Sequence, residues 1–143
     1  MTTGDDLLRL VIAVHALTRV AALETKNDAP AAQWRTLKLL RERGPLRVGD
    51  LATISRVSQP GMTRLVGQLS DAGLVRRSAD ATDARASVVE ITDAGEASLD
   101  AWLGQLTESL SAQFPDLDAA EADTIRRAAG ILEASLLVPG GAR

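Results

Sequence analysis

The sequence predicts a mainly α fold with a small β element (α+β): four helices, a two-stranded hairpin, then two longer helices. Three observations predict it. Apolar residues recur at helical spacing near both ends of the chain. Residues 46–92 run as short helix, tight turn, capped helix and strand–loop–strand. Glycine and proline punctuate that order at Gly44-Pro45, Pro60, Gly73 and Pro115. The 143 residues are one domain's length, and a chain of that size buries roughly 68–70% of its unfolded surface.

The first helix covers residues 7–23, with Leu7, Leu10, Val11, Val14, Leu17 and Ala21 on one stripe. Asn27-Asp28-Ala29-Pro30 interrupts it. A second helix over 31–43 carries Trp34, Leu37 and Leu40 on one face, and Gly44-Pro45 ends it, because proline cannot continue a helix. The third is short, 48–55, led by Gly49-Asp50. Ser58 then offers an N-cap, and Pro60 sits in the first turn, where its missing N–H costs nothing. This fourth helix turns Met62, Leu65, Val66 and Leu69 inward and ends at Ala72-Gly73. Residues 74–77 and 87–91 read as strands joined by a small polar loop over 78–86. Thr92 caps the fifth helix, whose Leu99, Trp102, Leu103, Leu106 and Leu110 suit packing against another helix, and Pro115 breaks it. Asp118 with Glu121 makes a capping-box pattern for the last helix. Its inner stripe is Ile125, Ala128, Ala129, Leu132 and Leu136, while Ile131 and Leu137 lie off it. A helix apolar on more than one side wants two neighbours, one of which can be another subunit. Residues 139–143 form a frayed tail.

Composition narrows the function classes. With 45% hydrophobic and 24% charged residues the chain reads as an ordinary soluble globular protein. No apolar run approaches the ~20 residues that cross a bilayer, so no membrane role is expected. The acidic N-terminus, MTTGDDLLRL, makes a poor signal peptide, and a cytoplasmic location follows by default. Cysteine is absent, which excludes disulfides, thiol redox sensing and Cys-based zinc sites. With one histidine, His15, a multi-histidine metal sensor is not expected, and neither metal nor cofactor is assigned. The net charge of −3 hides an asymmetry. Between Arg35 and Arg85 ten Lys/Arg face five Asp/Glu, a net of +5; the remainder carries six and fourteen, a net of −8. Positive potential is thus concentrated in the middle of the chain.

That middle segment, a helix pair followed by a hairpin with an arginine at its tip, is a helix-turn-helix with a β-wing, a shape that fits duplex DNA. A recognition helix must be narrow, capped and polar on one side to lie in a major groove about 12 Å wide. Residues 59–71 meet that description. Ser58, Gln59 and Pro60 open the helix, where free amides and the helix dipole favour a phosphate. Arg64 is the first candidate for reading guanine through N7 and O6, or else for gripping a phosphate. Gln59 and Gln68 suit adenine edges, and Thr63 a thymine methyl. Gly61 either lets the DNA approach closely or is simply tolerated in a first turn. In the wing, Arg85 suits a narrow, electronegative minor groove, with Asp83 placed to orient it by an ion pair. Arg76 and Arg77 alternate faces on their strand, so at most one of them faces phosphate.

With these residues placed, the chain resembles the multiple-antibiotic-resistance regulator (MarR) family of bacterial transcription factors. LATISRVSQPGMTRLVGQLSDAGLVRR and DARASVVEITDAG carry the resemblance. Asp83-Ala84-Arg85 matches the Asp-x-Arg common in that family's wing, and Ser58 with Thr63-Arg64 matches its recognition helix. The departures are Ala84 and Ala86, where relatives are often more basic, and Arg56, in a turn that often holds glycine. The resemblance implies a winged helix-turn-helix DNA-binding part at 31–92. It implies terminal helices, 5–27 and 93–138, that join two copies into a homodimer on a palindromic operator. Many relatives leave DNA when a small aromatic anion binds between these parts. His15, Arg19 and Trp34 are the residues here that border such a place, although none matches a motif, and Trp34 and His15 read equally as core or structural side chains.

Two other readings compete with a dimeric repressor of an inverted-repeat operator. A winged helix that binds protein tends to lose basic residues from its recognition helix and wing, whereas this segment is strongly basic. An enzyme needs a phosphate loop, a nucleophile elbow or a ligand cluster, and the sequence shows none of these. Asp5 and Asp6 are adjacent, so they cannot converge on one helical face as an acid–base pair.

Overall fold

The computed structural model describes residues 1–24 and 31–136. The elements are α1 (Thr3–Glu24), α2 (Ala31–Arg43), β1 (Leu46–Arg47), α3 (Val48–Ser55), α4 (Gln59–Asp71), β2 (Val75–Ala79), β3 (Ser87–Ile91), α5 (Asp93–Ala112) and α6 (Ala119–Leu136). They fall into two compact units, residues 1–109 and residue 110 onward, with the boundary inside α5. The break expected at Asn27-Asp28-Ala29-Pro30, Leu137 and the tail from Pro139 to Arg143 lie outside the described residues.

In the first unit four helices and the sheet share one core. Leu37 and Leu40 of α2, Leu51 and Ala52 of α3, Met62, Val66 and Leu69 of α4, Val75, Val89 and Leu99 are all buried, with Trp34 and Leu65 packed against them. Spacings of three and four residues put each helical set on one face. Burying each such leucine or valine contributes about 1.5–3 kcal/mol. The sheet is antiparallel in the order β1-β3-β2, with Leu46 opposite Val89 and Arg77 opposite Val89 on its other side. The two-residue β1 was not expected, because two residues are too few to show a period of two. Gly44, at φ +78, and Pro45 turn the chain out of α2 into it. Pairing with β3 also carries β2 two residues beyond its expected end, to Ala79 opposite Ser87.

Local rules set the helix ends. The Ser58 side chain accepts the Gly61 N–H at 3.1 Å. A Cβ on Gly61 would stand 3.0 Å from Ser58 Oγ and 3.1 Å from Val57 Cγ1, so crowding at the cap accounts for the glycine. Arg56 closes α3 in the left-handed region, with φ 54 and ψ 42. For a residue with a Cβ that conformation costs about 1–2 kcal/mol. Gly73 makes the α4–β2 turn at φ +76. Asp118 accepts the Glu121 N–H at 2.8 Å and caps α6. Helix α5 ends three residues short of Pro115: the Gln113 N–H reaches Leu110 O at 3.1 Å, a tighter turn that closes the helix first.

Two contacts set α5 against the rest of its unit. Thr92 Oγ1 donates to Gly73 O at 2.7 Å, its backbone N–H donates to Leu74 O at 3.1 Å, and its hydroxyl accepts the Gly95 N–H at 3.1 Å. One turn on, Arg41 of α2 donates to Glu96 Oε2 at 2.6 Å, Glu96 O at 3.0 Å and Asp100 Oδ1 at 2.7 Å.

The stripes expected to face inward on the terminal helices are largely uncovered. Among the described side chains of α1 Ala21 alone is buried, and Val11 is 61% exposed. On α6 no residue is buried, and Ile125, Leu132 and Leu136 stand open together with Ile131. The helices form where the apolar spacing predicts them, but the stripes do not turn inward: off-stripe Leu8, Ile12 and Ile131 are as exposed as the stripe residues.

The fit at Gly95 makes a sharp test. A Cβ there would lie 2.1 Å from Leu74 O and 2.7 Å from Ile91 Cγ1, and the first of these is backbone that cannot swing aside. Gly95→Ala should lose at least about 1–3 kcal/mol in urea unfolding. Gly104→Ala, in the same helix with nothing within 4 Å, should instead gain about 0.5–1 kcal/mol.

Candidate nucleic-acid interface

Helix α4, the first turn of α3 and the wing enclose a groove of about 490 Å³. Val48, Gly49 and Asp50 form one side, Gln59 and Thr63 the second, and Arg77, Asp83, Arg85, Ala86 and Ser87 the third. The pattern follows from the helix period. Gln59 and Thr63 are four residues apart and share the groove-facing track, while Arg64 and Gln68 share the next one and are exposed outside the groove. Thr63 donates its hydroxyl proton to Gln59 O at 2.9 Å, which leaves its methyl group as the outward contact.

The strand arginines divide as alternation requires. Arg76 donates through both Nε, at 2.9 Å, and Nη2 to Glu90 Oε1 on the neighbouring strand. That carboxylate also holds its pKa above the ordinary arginine value. Arg77 points the other way, into the groove. Among the described residues Arg64, Arg77 and Arg85 make no ion pair, so three exposed guanidinium groups remain free for an anionic partner.

At the wing tip Asp83 does not form the expected ion pair with the Arg85 guanidinium. Its carboxylate accepts the Arg85 backbone N–H at 3.0 Å, and its carbonyl accepts the Ala86 N–H at 3.0 Å. A carboxylate two residues before an amide closes a compact ring with it, and the short contact wins over a long, solvated ion pair. Asp83 therefore shapes the loop and leaves the Arg85 side chain unpaired. His15 and Arg19 are exposed one turn apart on α1, and Trp34 packs half-buried on the core with Arg35 over its ring at 5.6 Å. None of these three lines the groove.

Arg47 is among the groove residues that the sequence reading did not single out. It donates from Nε to Asp80 Oδ2 at 2.5 Å and from Nη2 to Thr82 Oγ1 at 3.3 Å, clasping the loop end of the hairpin to the start of α3. Asp80 keeps only 13% of its side chain exposed. Its carboxyl is held below the ordinary aspartate range, chiefly by the Thr82 backbone N–H, then by the Thr82 hydroxyl, with Arg47 adding to both. The partners lie 33 residues apart in the chain. No local pattern announces that pairing. The only available signal was an acidic residue within the loop over 78–86 to which the sequence assigned no partner.

Because the folded-state pKa of Asp80 is lowered, its stabilising effect is complete above the ordinary aspartate pKa of about 4 and vanishes as the pH falls through the folded value. Asp80→Asn should thus be less stable than wild type at neutral pH, and the gap should close in acid. Thermal melts of both proteins across that range check this, and a gap that stays constant in acid would show that the carboxylate charge is not what holds the wing.

Among the described residues no helix is long and apolar enough to cross a membrane. Residues 30–87 match the MarR family. An HTH-type transcriptional regulator of Mycobacterium bovis is 29% identical over 124 residues, covering 86% of this chain and 87% of its own length. The HTH-type transcriptional repressor IacR of Pseudomonas putida is 24% identical over 132 residues, with coverages of 87% and 79%. Apo MarR from E. coli shares the fold, with a TM-score of 0.75 at 22% identity over 96% of this chain and 97% of that one. With a helix-turn-helix, a wing and free arginines already in place, the segment over residues 30–87 is similar to the MarR family, and the curated relatives are named as HTH-type transcriptional regulators.

Proposed function

We propose that the protein is a homodimeric repressor that occupies a two-fold inverted-repeat operator. In this reading α4 enters the major groove, Arg85 reaches the adjacent minor groove, and Arg77 meets the phosphates between them. Residues 31–92 are the reading part, and the terminal helices join the two copies. The observation that carries the reading is the convergence of Gln59 and Thr63 with the unpaired Arg77 and Arg85 around one groove. Two chains supply two such grooves, and half-sites about 34–36 Å apart match one duplex turn. The open apolar stripes of α1 and α6 supply surface for pairing. Repression accords with the relative IacR, named as a repressor. Release by a small aromatic anion rests on the family resemblance alone, with His15, Arg19 and Trp34 as its candidate contacts.

Selection of bound duplexes from a random pool tests the reading. It should enrich an inverted repeat whose log affinity falls steeply with log salt. An unenriched pool with a flat salt response would favour a winged helix that binds protein. With the selected duplex, Arg64→Ala should lose roughly 1–3 kcal/mol and relax base preference at one position per half-site. Uniform weakening across all sequences would make Arg64 a phosphate contact. Arg85→Ala should weaken binding most where the flanks are A·T-rich, and a loss indifferent to flank composition would remove Arg85 from the minor groove.

A further inference from the structure

Arg56 stands in the turn between α3 and α4, and it is the one non-glycine among the described residues with a positive φ. Glycine adopts that conformation freely, whereas any residue with a Cβ is strained in it. Strain of this kind persists where the surrounding structure imposes it, and it gathers at functional positions. Nothing inside the protein uses the Arg56 side chain. It is exposed, and among the described residues its guanidinium makes no ion pair and no hydrogen bond. From Leu51 to Ser70 the chain holds no carboxylate at all, and Arg56 and Arg64 are its only charged residues. The charge is therefore exposed and is not neutralised by an ion pair.

The position is distinct from the groove. Val48, Gly49 and Asp50, which line the groove, form the first turn of α3, and Arg56 follows its last residue. At 1.5 Å per residue those two ends are about 12 Å apart. Two residues further on comes Ser58, the cap of the helix that carries Gln59 and Thr63. We propose that Arg56 holds a backbone phosphate of the bound duplex that the wing does not reach. It anchors the start of α4 from the side of the α3–α4 turn while Arg77 and Arg85 anchor it from the other. The inference rests on the DNA-binding reading above and assigns a phosphate contact to a residue that is structurally costly where it stands.

Arg56→Gly separates the two effects, because it should move stability and binding in opposite directions. Relief of the left-handed strain should raise the melting temperature by about 2–4 °C. Loss of the phosphate contact should weaken binding about tenfold, on both the selected duplex and a random-sequence duplex. The log–log salt slope should become shallower by about one unit for each Arg56 engaged. Arg56→Lys keeps the charge and the strain, so it should restore the slope without the gain in melting temperature. If Arg56→Gly binds both duplexes with wild-type affinity and slope, the contact does not exist, while the DNA-binding reading stands. Weakening confined to the selected duplex, with an unchanged slope, would overturn the phosphate assignment in favour of a base contact. If the wild-type protein itself binds no duplex, both inferences fall together.

Discussion

Everything that faces the proposed duplex is aimed by the turn that leads from α4 into β2, and Thr92 and Gly95 hold that turn. The carbonyls of Gly73 and Leu74 lie in the turn just beyond α4 and its C-cap, Ala72. Thr92 supplies donors to both. Gly95 then lets the first turn of α5 rest directly on Leu74. This one contact fixes the end of the recognition helix, the root of the hairpin and the start of α5 relative to one another. The direction of the wing over Gln59 and Thr63 follows from it, and the Arg47–Asp80 clasp secures the hairpin's far end.

Two sets of the molecule's arginines differ in what holds them. Arg41, Arg47 and Arg76 are bound by carboxylates of the same chain and act as braces between elements. Arg64, Arg77 and Arg85 are left unpaired on the face that carries α4 and the wing. Exposed ion pairs contribute little to stability individually, but each one removes a cation from the field that an approaching polyanion meets. The sorting therefore matters more for where positive potential remains than for the stability of the fold. A net charge of −3 is compatible with DNA binding because fourteen acidic residues lie outside the basic segment in sequence, and three of them, Glu90, Glu96 and Asp100, pair with Arg76 and Arg41 rather than with Arg64, Arg77 or Arg85. At physiological salt, charges more than about 8 Å away are largely screened.

Most of the fold was legible because most of it is specified locally. Ser58, Pro60, Gly44, Thr92 and Asp118 each announce a helix end within three or four residues of the group they satisfy, and α2, α3 and α4 begin and end where those residues predict. The features that were missed depend on partners distant in the chain. Strand β1 exists only because residues 88 and 89 lie beside it, and Arg47 acquires its role only when the hairpin brings Asp80 within reach. Gly61 read ambiguously because the crowding that explains it involves Val57 across the cap. Asp83 had two plausible acceptor roles, and the shorter ring won. At the candidate site the groove-facing track of α4 and the choice of Arg77 over Arg76 followed from periodicity. Which arginines stay unpaired did not, since that depends on the three-dimensional neighbourhood of every carboxylate.

The buried core draws all but one of its members from residues 37–99, a single continuous stretch. Several of its contacts run between neighbours in sequence, α3 with α4, α4 with β2 and β2 with β3, while β3 also closes on β1 and α2. Loops that short close at little entropic cost, and topologies dominated by local contacts fold quickly. During synthesis, the winged head can thus complete its core as soon as the first turns of α5 have emerged, before α6 exists. The winged head does not wait for α6 in its folding order. Errors late in translation would leave a folded head on an unfinished chain.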